Sequence, residues 1–594
     1  MCGIIGCNFK PNQNIKTLTD MLFNRGPDFQ ATFQIENNYF GHTRLSIIDL
    51  DNEANQPMVF DDLILVFNGE IYNYKTLIKS ENLNMITKSD SEVLIRLYQK
   101  YGIEFLNKLE GMFSFCIYDI KKDLYFCARD RYGKKPFFYS TFDNKFIFCS
   151  KIKPILKALD LKPKLNKVAL AQYLQYFVPL SPNTFFNDIL KLDSASYLIY
   201  ENKAKSLKIK KYYKINTYKK IHNEQTAIKD IEELLFKAVE QRITADVEVG
   251  SLLSGGIDSS LISALYTNIS GKKIQTFSVG YDSFKKYSEL PYANITAKHI
   301  NSIHHPLIIN KNQYIDSFEE VLDQLEEPHG DSAAIPLYLL TKTIKNSGIK
   351  TVLSGEGSDE IFLGYDNYAK FLRYYQFASS LKSDQQEFLD SIISALQNQT
   401  KESEYLRRVV KKQNIYNSFG EIFNDKQRKA LFRKNPSFKS PSSKKDPVDH
   451  MSSIDLQIWL GEALLSKVDK MSMANSIEVR NPFLHKDLVN YLFSVDSNIK
   501  MGDTNKYLLK QIASKYIPSE IINRTKKGFN SPYNEWLFET FGDDLYKTIL
   551  EVNNQTEFFN KNYLDFIYTQ AKENKFKQHF YSLYIFSKWY KKNF

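Results

Sequence analysis

The sequence predicts two domains, a sheet-rich α+β domain followed by an α/β domain whose C-terminal part is helical. In the first third of the chain, short strand-like runs alternate with turn residues such as Asp143 and Asn144. From Ile228 onward, apolar residues recur at helical spacing, and helical stretches alternate with apolar runs of strand length. After about Tyr365 the pattern is almost entirely helical. A length of 594 residues also exceeds that of an ordinary single domain.

The elements of the first domain are predicted from apolar runs that are bounded by turn residues. Strands are expected at 111–119, 124–129, 136–140 and 145–149, and one helix at about 91–101. Together they indicate a strand-rich domain with few helices.

The lysine-rich stretch 203–224 shows little apolar periodicity, so we predict a linker there. The predicted domains are accordingly 1–210 and 223–594. Strand-like runs that alternate with helices predict a parallel sheet in the second domain. These runs lie at 247–253, 274–279 and 349–353.

Composition and charge narrow the classes of function. The formal net charge is +11, from 79 Lys and Arg against 68 Asp and Glu. Most of these cations are lysines, whereas the arginines that read guanine edges are scarce, so we expect no nucleic-acid partner. The sequence has neither an apolar run long enough to span a bilayer nor a signal-peptide pattern. We therefore expect a cytoplasmic protein that has no membrane contact and whose native N-terminus lies near Met1.

The five cysteines fit neither a disulfide framework nor the spacing of a zinc site. Cys2 stands out because removal of Met1 exposes a thiol beside a free α-amine, which could serve as its base. Asn68 and Gly69 offer a side-chain amide and a backbone N–H to an oxyanion. Taken singly, a cysteine is more often a small buried residue, and Asn-Gly is more often a hairpin turn.

A glycine- and serine-rich segment lies between an apolar strand and an apolar helix, and it reads Ser254-Gly255-Gly256-Ile257-Asp258-Ser259-Ser260. The glycines allow close backbone approach, and the start of the helix offers unpaired N–H groups to phosphate. No Walker A string occurs. The segment predicts a phosphate-binding loop, and a capped strand-to-helix turn is the alternative.

A second loop, Ser354-Gly355-Glu356-Gly357-Ser358-Asp359-Glu360, also follows an apolar run. Three carboxylates at the C-terminal end of a strand need a cation or a polar substrate nearby. Together the two loops would place Asp258 and Asp359 on either side of a nucleotide triphosphate, with Mg²⁺ between them. Taken alone, the second loop could equally be a solvated turn.

These strings together resemble the glutamine-hydrolysing asparagine synthetase family over essentially the whole chain. Its glutaminase half is represented by Cys2-Gly3-Ile4-Ile5-Gly6, Arg25-Gly26-Pro27-Asp28, Arg44-Leu45-Ser46-Ile47, Asn68-Gly69-Glu70-Ile71-Tyr72-Asn73 and Ser89-Asp90-Ser91-Glu92. The resemblance implies an N-terminal-nucleophile glutaminase domain of two stacked antiparallel sheets with helices. It also implies a following ATP-pyrophosphatase domain, similar to adenine nucleotide alpha-hydrolases.

In the glutaminase half, the resemblance implies that Cys2 attacks the glutamine amide and that Asn68 and Gly69 hold the oxyanion. Arg44 would clamp the α-carboxylate of glutamine, and Asp90, with Glu70 nearby, would take its α-ammonium. The remaining implied glutamine-binding residues follow Arg44 directly: Leu45, Ser46, Ile47 and Ile48.

In the synthetase half, the resemblance implies adenylation of a carboxylate by ATP. Glu356 would be the general base for the attacking ammonia, and Lys506 would face the phosphates. Asp258 and Asp359 would hold Mg²⁺. The implied ATP-binding residues are Leu253, Ser254, Gly255, Gly256, Asp258, Ser259, Ser260, Val279, Ser354 and Gly355.

Arg480 and Lys470 are the candidates for binding the acceptor carboxylate. Two residues depart from the family pattern, because His485 stands where Asp is usual and Leu363 stands where a second Gly is common. Both lie close to acceptor or nucleotide segments, so they bear on the identity of the acceptor more than on the type of reaction.

The resulting prediction is an enzyme that makes asparagine and glutamate from aspartate, glutamine and ATP, with a homodimer as the candidate assembly. Ammonia would pass between the two sites through a channel lined by apolar and small residues. One alternative is the same chemistry on another carboxylate, such as a uronic acid of a surface polysaccharide. A different class of alternative is an RNA-modifying or RNA-binding protein with a pyrophosphatase loop.

Overall fold

The computed structural model describes residues 1–216, 220–395, 401–441, 446–526, 528 and 531–594. Within these residues, no helix is both long and apolar enough to cross a lipid bilayer.

Two antiparallel sheets of six strands each form the first domain. Its strands are β1 Gly3–Cys7, β2 Phe29–Ile35, β3 Asn38–Arg44, β4 Met58–Phe60, β5 Leu63–Ile71, β6 Gly111–Asp119, β7 Leu124–Arg129, β8 Phe138–Ser140, β9 Ile147–Cys149, β10 Leu190–Lys191, β11 Ser196–Glu201 and β12 Ser206–Lys211. The order is β10-β8-β9-β1-β3-β2 in one sheet and β12-β11-β7-β6-β5-β4 in the other. The sheets stack face to face, and the ring of Phe40 on β3 lies 5.8 Å from that of Tyr118 on β6 and 5.9 Å from that of Tyr125 on β7.

The helices of this domain lie between its strands in sequence. They are α1 Ile15–Asp20, α2 Tyr74–Ser80, α3 Asp90–Tyr101, α4 Ile152–Leu159 and α5 Lys167–Tyr176. The expected helix at 91–101 is α3, and it begins one residue earlier because Ser89 caps it by accepting the Ser91 N–H.

A five-stranded sheet, parallel throughout, forms the centre of the second domain. Its strands are β13 Val249–Leu252, β14 Gln275–Tyr281, β15 Ile303–Ile309, β16 Thr351–Leu353 and β17 Glu478–Arg480, in the order β15-β14-β13-β16-β17. The ends of β13 and β16 therefore meet at one edge, where the two glycine-containing loops begin.

Helices surround this sheet and make up the rest of the chain. They are α6 Glu224–Arg242, α7 Ile257–Ser270, α8 Leu290–His299, α9 Lys311–Asp316, α10 Phe318–Leu325, α11 Ala334–Asn346, α12 Ser358–Ile361, α13 Asn367–Ser380, α14 Ser383–Ala395, α15 Lys401–Val410, α16 Asp425–Leu431, α17 Pro447–Asp455, α18 Leu465–Ala474, α19 Lys486–Ser494, α20 Ser497–Met501, α21 Tyr507–Ala513, α22 Ser519–Ile522, α23 Glu539–Thr556, α24 Lys561–Lys572 and α25 Lys577–Asn593. A π-helical segment, Leu456–Leu464, joins α17 to α18. The predicted fold class is confirmed in both halves.

The linker predicted at 203–224 is wrong in part, because its first half contains strand β12. This strand pairs with β11 at the edge of its sheet, and its residues after Leu207 are exposed. An edge strand with a solvated face tolerates lysines, so the hydrophobic pattern that would have identified a strand is missing. Residues 217–219 of the same stretch lie outside the described residues.

Candidate active sites

Cys2 lies in a buried site at the start of β1, with Met1 still attached. Its backbone N–H donates to Asn68 Oδ1 at 3.1 Å, and its carbonyl accepts from Arg25 Nε at 3.0 Å. Burial raises the pKa of the Cys2 thiol, whereas the ammonium of Met1 lowers it. The thiol is therefore kept protonated unless a base lies beside it.

The residues expected around Cys2 follow one another along β5. Asn68 Nδ2 lies 3.4 Å from Ser114 Oγ, and the Ile71 N–H donates to Asp90 Oδ2 at 2.8 Å. Gly69 packs against the backbone of β6 so closely that a Cβ there would lie 2.1 Å from the Met112 carbonyl oxygen. The structure thus brings Cys2, Asn68, Gly69 and Asp90 to one end of the first domain.

Arg44 lies at the end of β3 with its guanidinium turned into the following loop. Nη1 donates to the Asp51 carbonyl at 2.9 Å and to Asn55 Oδ1 at 2.7 Å, and Nη2 donates to the Asp49 carbonyl. These donors hold the loop, so its role as a carboxylate clamp stays a prediction. The expected glutamine-binding residues that follow it are Leu45, Ile47 and Ile48, which pack with Met1 in one core, and Ser46, whose N–H donates to Asp28.

The structure does not bring Arg480 to the nucleotide and acceptor loops, although the sequence predicts it there. Its side chain is fully buried on the opposite side of β17, where Nε donates to Glu478 Oε1 at 2.8 Å and Nη2 to Glu70. Nη1 donates to the carbonyl of Thr244 at 3.0 Å. Alternate residues of a strand point to opposite faces of the sheet, so Arg480 and Glu478 lie on the same face. The guanidinium on this face points to the glutaminase site.

The first loop forms a turn between β13 and α7, in agreement with a phosphate-binding role. Gly256 caps α7 without a side-chain hydrogen bond, so the first N–H groups of the helix remain available. Ser259 Oγ accepts the Ser254 N–H at 3.1 Å. Gly255 has φ +73°, and a Cβ there would lie 2.5 Å from the Ala293 nitrogen, so the turn depends on glycine.

Ser260 does not face the loop opening as the sequence predicts. Its side chain is fully buried, and its Oγ lies 3.0 Å from Thr296 Oγ1 on α8. One residue further along the helix rotates the side chain by about 100°, which turns it from the loop to the helix packing surface.

The second loop touches the first and meets Lys506. Lys506 Nζ lies 2.6 Å from Asp258 Oδ2 and 2.6 Å from Asp359 Oδ1. Burial by itself lowers the pKa of Lys506, but the two carboxylates raise it well above its usual value. Burial likewise works against ionisation of Asp359, yet Lys506 and Lys526 hold its pKa below the usual value. Lys506 and Asp359 are therefore both charged at neutral pH.

Glu356 belongs to the second loop and lines a large cavity. Burial raises the pKa of its carboxyl, Lys467 lowers it, and Asp359 and Asp331 raise it further. A raised pKa suits a carboxylate that accepts a proton from ammonium or ammonia during attack.

The cavity has a volume of about 920 Å³ and opens at the C-terminal ends of β13 and β16. This is ample for a nucleotide together with a second substrate. The predicted residues that line it are Leu253, Ser254, Gly256, Asp258, Ser259, Val279, Ser354, Gly355, Glu356, Asp359 and Lys506. Lys470 does not line it, because its Nζ donates to the Leu325 carbonyl at 2.5 Å, away from the cavity.

Four basic residues of the cavity were missed by the sequence analysis, namely Lys467, Lys510, Arg524 and Lys526. Lys467 pairs with Asp331 at 2.6 Å, Lys526 pairs with Asp359, and Arg524 Nη1 donates to the Gly255 carbonyl at 2.8 Å. Lys467 lies three residues before Lys470, which the sequence analysis did name. No sequence pattern indicated Arg524 and Lys526, because they lie in an irregular segment that is far from the two loops in sequence.

The predicted metal site fits a magnesium ion bound partly by phosphate. Within the described residues, no group of three or more His, Cys, Asp or Glu side chains is arranged to hold a metal by itself. Asp258 and Asp359 nevertheless present carboxylate oxygens to a shared cation, the ammonium of Lys506. Magnesium in nucleotide sites commonly takes one or two carboxylates and completes its shell with phosphate and water.

Aromatic side chains form one wall of the cavity. Tyr365 stacks on Phe419 with ring centroids 4.0 Å apart, and Trp459 lies 5.4 Å from Phe419 and 5.2 Å from Phe177. The Trp459 Nε1–H donates to the Tyr365 hydroxyl at 2.9 Å. Phe177 belongs to the first half of the chain and has φ +70°, a conformation rare for an aromatic residue.

A small cavity of about 30 Å³ lies between the two halves of the chain. It is lined by charged side chains such as Lys134, Glu327, Glu462 and Lys470, together with Phe137 and Val178. The channel expected from the sequence has an apolar lining, and this cavity does not match that description.

Comparison with known proteins finds relatives for both halves of the chain. Residues 230–591 match the family model described as asparagine synthase, and residues 1–213 match the glutamine amidotransferase domain. The glutamine-hydrolyzing asparagine synthetase 1 of Bacillus subtilis (strain 168) is 31% identical over 591 residues, covering 95% of this chain and 92% of that protein. A putative glutamine-hydrolyzing asparagine synthetase 2 of Methanocaldococcus jannaschii is 36% identical over 399 residues, covering 61% and 76%. The amidase chry2 of Gibberella zeae is 26% identical over 627 residues, covering 94% and 90%.

Proposed function

Because the chain belongs to the asparagine synthase family, and because its amide donor is glutamine, we propose that it converts aspartate to asparagine at the expense of ATP. The observation that carries the proposal is the meeting of Asp258, Lys506 and Asp359 beside Glu356, at the C-terminal edge of a parallel sheet. This arrangement presents positive charge to phosphates and a base of raised pKa to an incoming amine.

In the glutaminase half, we propose that Cys2 becomes the N-terminal residue when Met1 is removed. Its α-amine takes the thiol proton, the thiolate attacks the glutamine amide carbon, and the C–N bond breaks to release ammonia. The thioester is then hydrolysed by water to give glutamate. Asn68 Nδ2 and the Gly69 N–H are the donors proposed for the oxyanion.

In the synthetase half, the side-chain carboxylate of aspartate attacks the α-phosphorus of ATP, and pyrophosphate leaves. Ammonia then attacks the β-aspartyl adenylate, Glu356 accepts the proton, and AMP leaves. Lys506 stabilises the negative charge that develops on phosphate oxygens. Asp258 and Asp359 would hold a magnesium ion, which supplies charge neutralisation for the triphosphate when bound.

One assay on variants tests the division of labour between the halves. We expect Cys2→Ala to abolish asparagine synthesis from glutamine and to spare synthesis from added ammonium salts. Glu356→Ala should lower both by about 10²-fold or more, because proton transfer serves either source of nitrogen. The measurement is pyrophosphate release with aspartate. Loss of both activities in Cys2→Ala, or no aspartate-dependent release by the unmodified protein, would contradict the proposal.

The aromatic wall favours a second candidate, the same chemistry on a larger carboxylate. Aspartate has two charged groups and little apolar surface, whereas the rings of Phe177 and Phe419 offer a flat apolar face. Arg480, which was expected to bind the acceptor carboxylate, faces away from this cavity. A uronic acid has one carboxylate and a ring whose C–H groups can stack on aromatic rings.

A panel of acceptors separates the two candidates. For the second, pyrophosphate release should depend on a hexuronic acid rather than on aspartate, and Phe419→Ala should raise its KM by about tenfold. If aspartate alone supports release and Phe419→Ala leaves its KM unchanged, the second candidate fails.

A further inference from the structure

The ammonium of Met1 occupies a buried site that the synthetase domain helps to form. Met1 N lies 3.3 Å from Glu478 Oε2, and neither side chain is exposed to solvent. Glu478 belongs to β17 of the parallel sheet, more than 400 residues from Met1 in sequence. The glutaminase site is thus closed by a carboxylate from the other half of the chain.

Three carboxyl groups, those of Glu70, Glu478 and Asp90, lie close to one another at this site. Glu70 and Glu478 share the guanidinium of Arg480. Asp90 lies near enough that Glu478 raises its pKa and Arg480 lowers it. The cations near these carboxyls include Arg480, the Met1 ammonium and, beside Glu478, Lys135.

Two carboxylate oxygens in this group are buried and lack a hydrogen bond. Among the described residues, neither Glu70 Oε2 nor Glu478 Oε2 has a hydrogen-bond partner. For Glu478 Oε2, the nearby Met1 ammonium supplies the opposite charge. Removal of Met1 would take away the cation that pairs with this buried oxygen. Arg480 and Lys135 would still act on the carboxylate, but the loss is costly unless another cation takes the place.

The space that Met1 occupies has surroundings that suit an amino acid. Met1 packs against Leu45 and Ile47, which suit the methylene groups of an amino acid. The side chain of methionine is about as long as that of glutamine. The vacated space adjoins Cys2, where glutamine must bind in order to be attacked.

We propose that Glu478 is a glutamine-binding residue, which takes the α-ammonium of glutamine at the position that Met1 N holds before its removal. The inference rests on the proposed role of Cys2, and it extends the expected pair, Asp90 and Glu70, by a residue of the synthetase domain. Arg480 is a positioning residue that keeps Glu70 and Glu478 in place. Glutamine binding therefore requires the two halves to be docked.

The test compares glutamine with glutaramate, which has hydrogen in place of the α-amine, in the full-length protein with Met1 removal verified by mass. Glu478→Gln should lower kcat/KM for glutamine by about 10–100-fold, the range of a charge-assisted hydrogen bond. The value for glutaramate should change less than about twofold, because this substrate has no ammonium to lose. Asp90→Asn should show the same selective loss.

A conservative variant and a matched control keep the test decisive. Glu478→Asp retains the charge in a shorter side chain, so it should show a smaller loss that is again confined to glutamine. Glu421→Gln alters a different buried carboxylate, paired with Arg408 at 2.8 Å, and should leave the ratio of the two substrates unchanged.

Two outcomes would overturn the proposal. An equal fall for glutamine and glutaramate in both Glu478 variants would mean that Glu478 acts on the Cys2 amine or on the fold. Unchanged kinetics for both substrates would mean that it has no role in binding. Failure of the underlying proposal is distinguishable, because glutamine hydrolysis would then survive in Cys2→Ala.

Discussion

At the scale of single residues, the carboxylates that pair with a buried lysine or arginine determine which site that residue serves. Lys506 is fixed by two carboxylates and Arg480 by two others, so a lysine and an arginine of the same half serve different sites. Both depend on their partners, since an unpaired buried charge costs several kcal/mol.

Asp90 gives a residue-scale prediction on pH. Burial raises the pKa of its carboxyl to about 6, and the Ile71 N–H and Arg480 oppose that rise. Below about pH 6 the carboxyl is neutral in the free enzyme and cannot pair with an ammonium. The ratio of kcat/KM for glutamine to that for glutaramate should therefore fall as the pH drops through about 6. In Asp90→Asn the ratio should not vary across this range, and a constant ratio in the unmodified protein would remove Asp90 from the site.

At the scale of elements, strand ends and helix starts place the nucleotide loops. β13 and β16 are neighbours in the sheet, so the loops that follow them touch: a Cβ on Gly355 would lie 2.8 Å from Asp258 Cβ. The close approach is possible because the second loop has glycine at the contact, where it meets Asp258 and Ser259 of the first.

Gly255 and Gly271, at the two ends of α7, form a matched pair for an element-scale prediction. Both have positive φ, +73° and +64°, but a Cβ on Gly271 would meet nothing within 4 Å, whereas one on Gly255 would collide with α8. Gly271→Ala should lower the free energy of unfolding by about 1–2 kcal/mol through backbone strain alone. Gly255→Ala should cost about 1–3 kcal/mol more and weaken ATP binding. Urea unfolding measures the difference, and equal costs would show that the contact with α8 is not limiting.

At the scale of the whole molecule, the halves are joined by buried ion pairs and a shared core. Asp469 on α18 lies 2.9 Å from Arg25 Nη1 and 3.5 Å from Lys135 Nζ, with all three side chains almost fully buried. One core cluster contains apolar residues of both halves, for example Ile5 and Phe277. We infer that the halves are stable as one unit.

Asp469→Asn tests this inference. The change leaves two buried cations without an anion, so the free energy of unfolding should fall by about 3–5 kcal/mol. Hydrogen exchange should rise in peptides of both halves. Glu201→Gln, which alters an exposed pair with Lys208 at 2.9 Å, should change stability by about 0.5 kcal/mol or less. Faster exchange confined to one half would contradict a single cooperative unit.

The sequence by itself determined the fold class and identified the local strings whose residues meet at the two candidate sites. β6 and β7 have the predicted bounds because their apolar runs end in turn residues. The glycines and serines from Ser254 to Ser259 likewise predict a loop between a strand and a helix. Such features depend on neighbours in sequence, which a pattern can show.

Only the tertiary structure decided where side chains of short or irregular segments point. β17 has three residues, too few to show the alternating pattern of a strand. Its pairing with β16 and the direction of the Arg480 side chain could therefore not be predicted from the sequence. Lys526 and the aromatic wall of Phe177 and Trp459 join segments that are hundreds of residues apart. The physical reason is that a binding site is completed by long-range packing, whereas periodicity and turn chemistry report only local backbone preference.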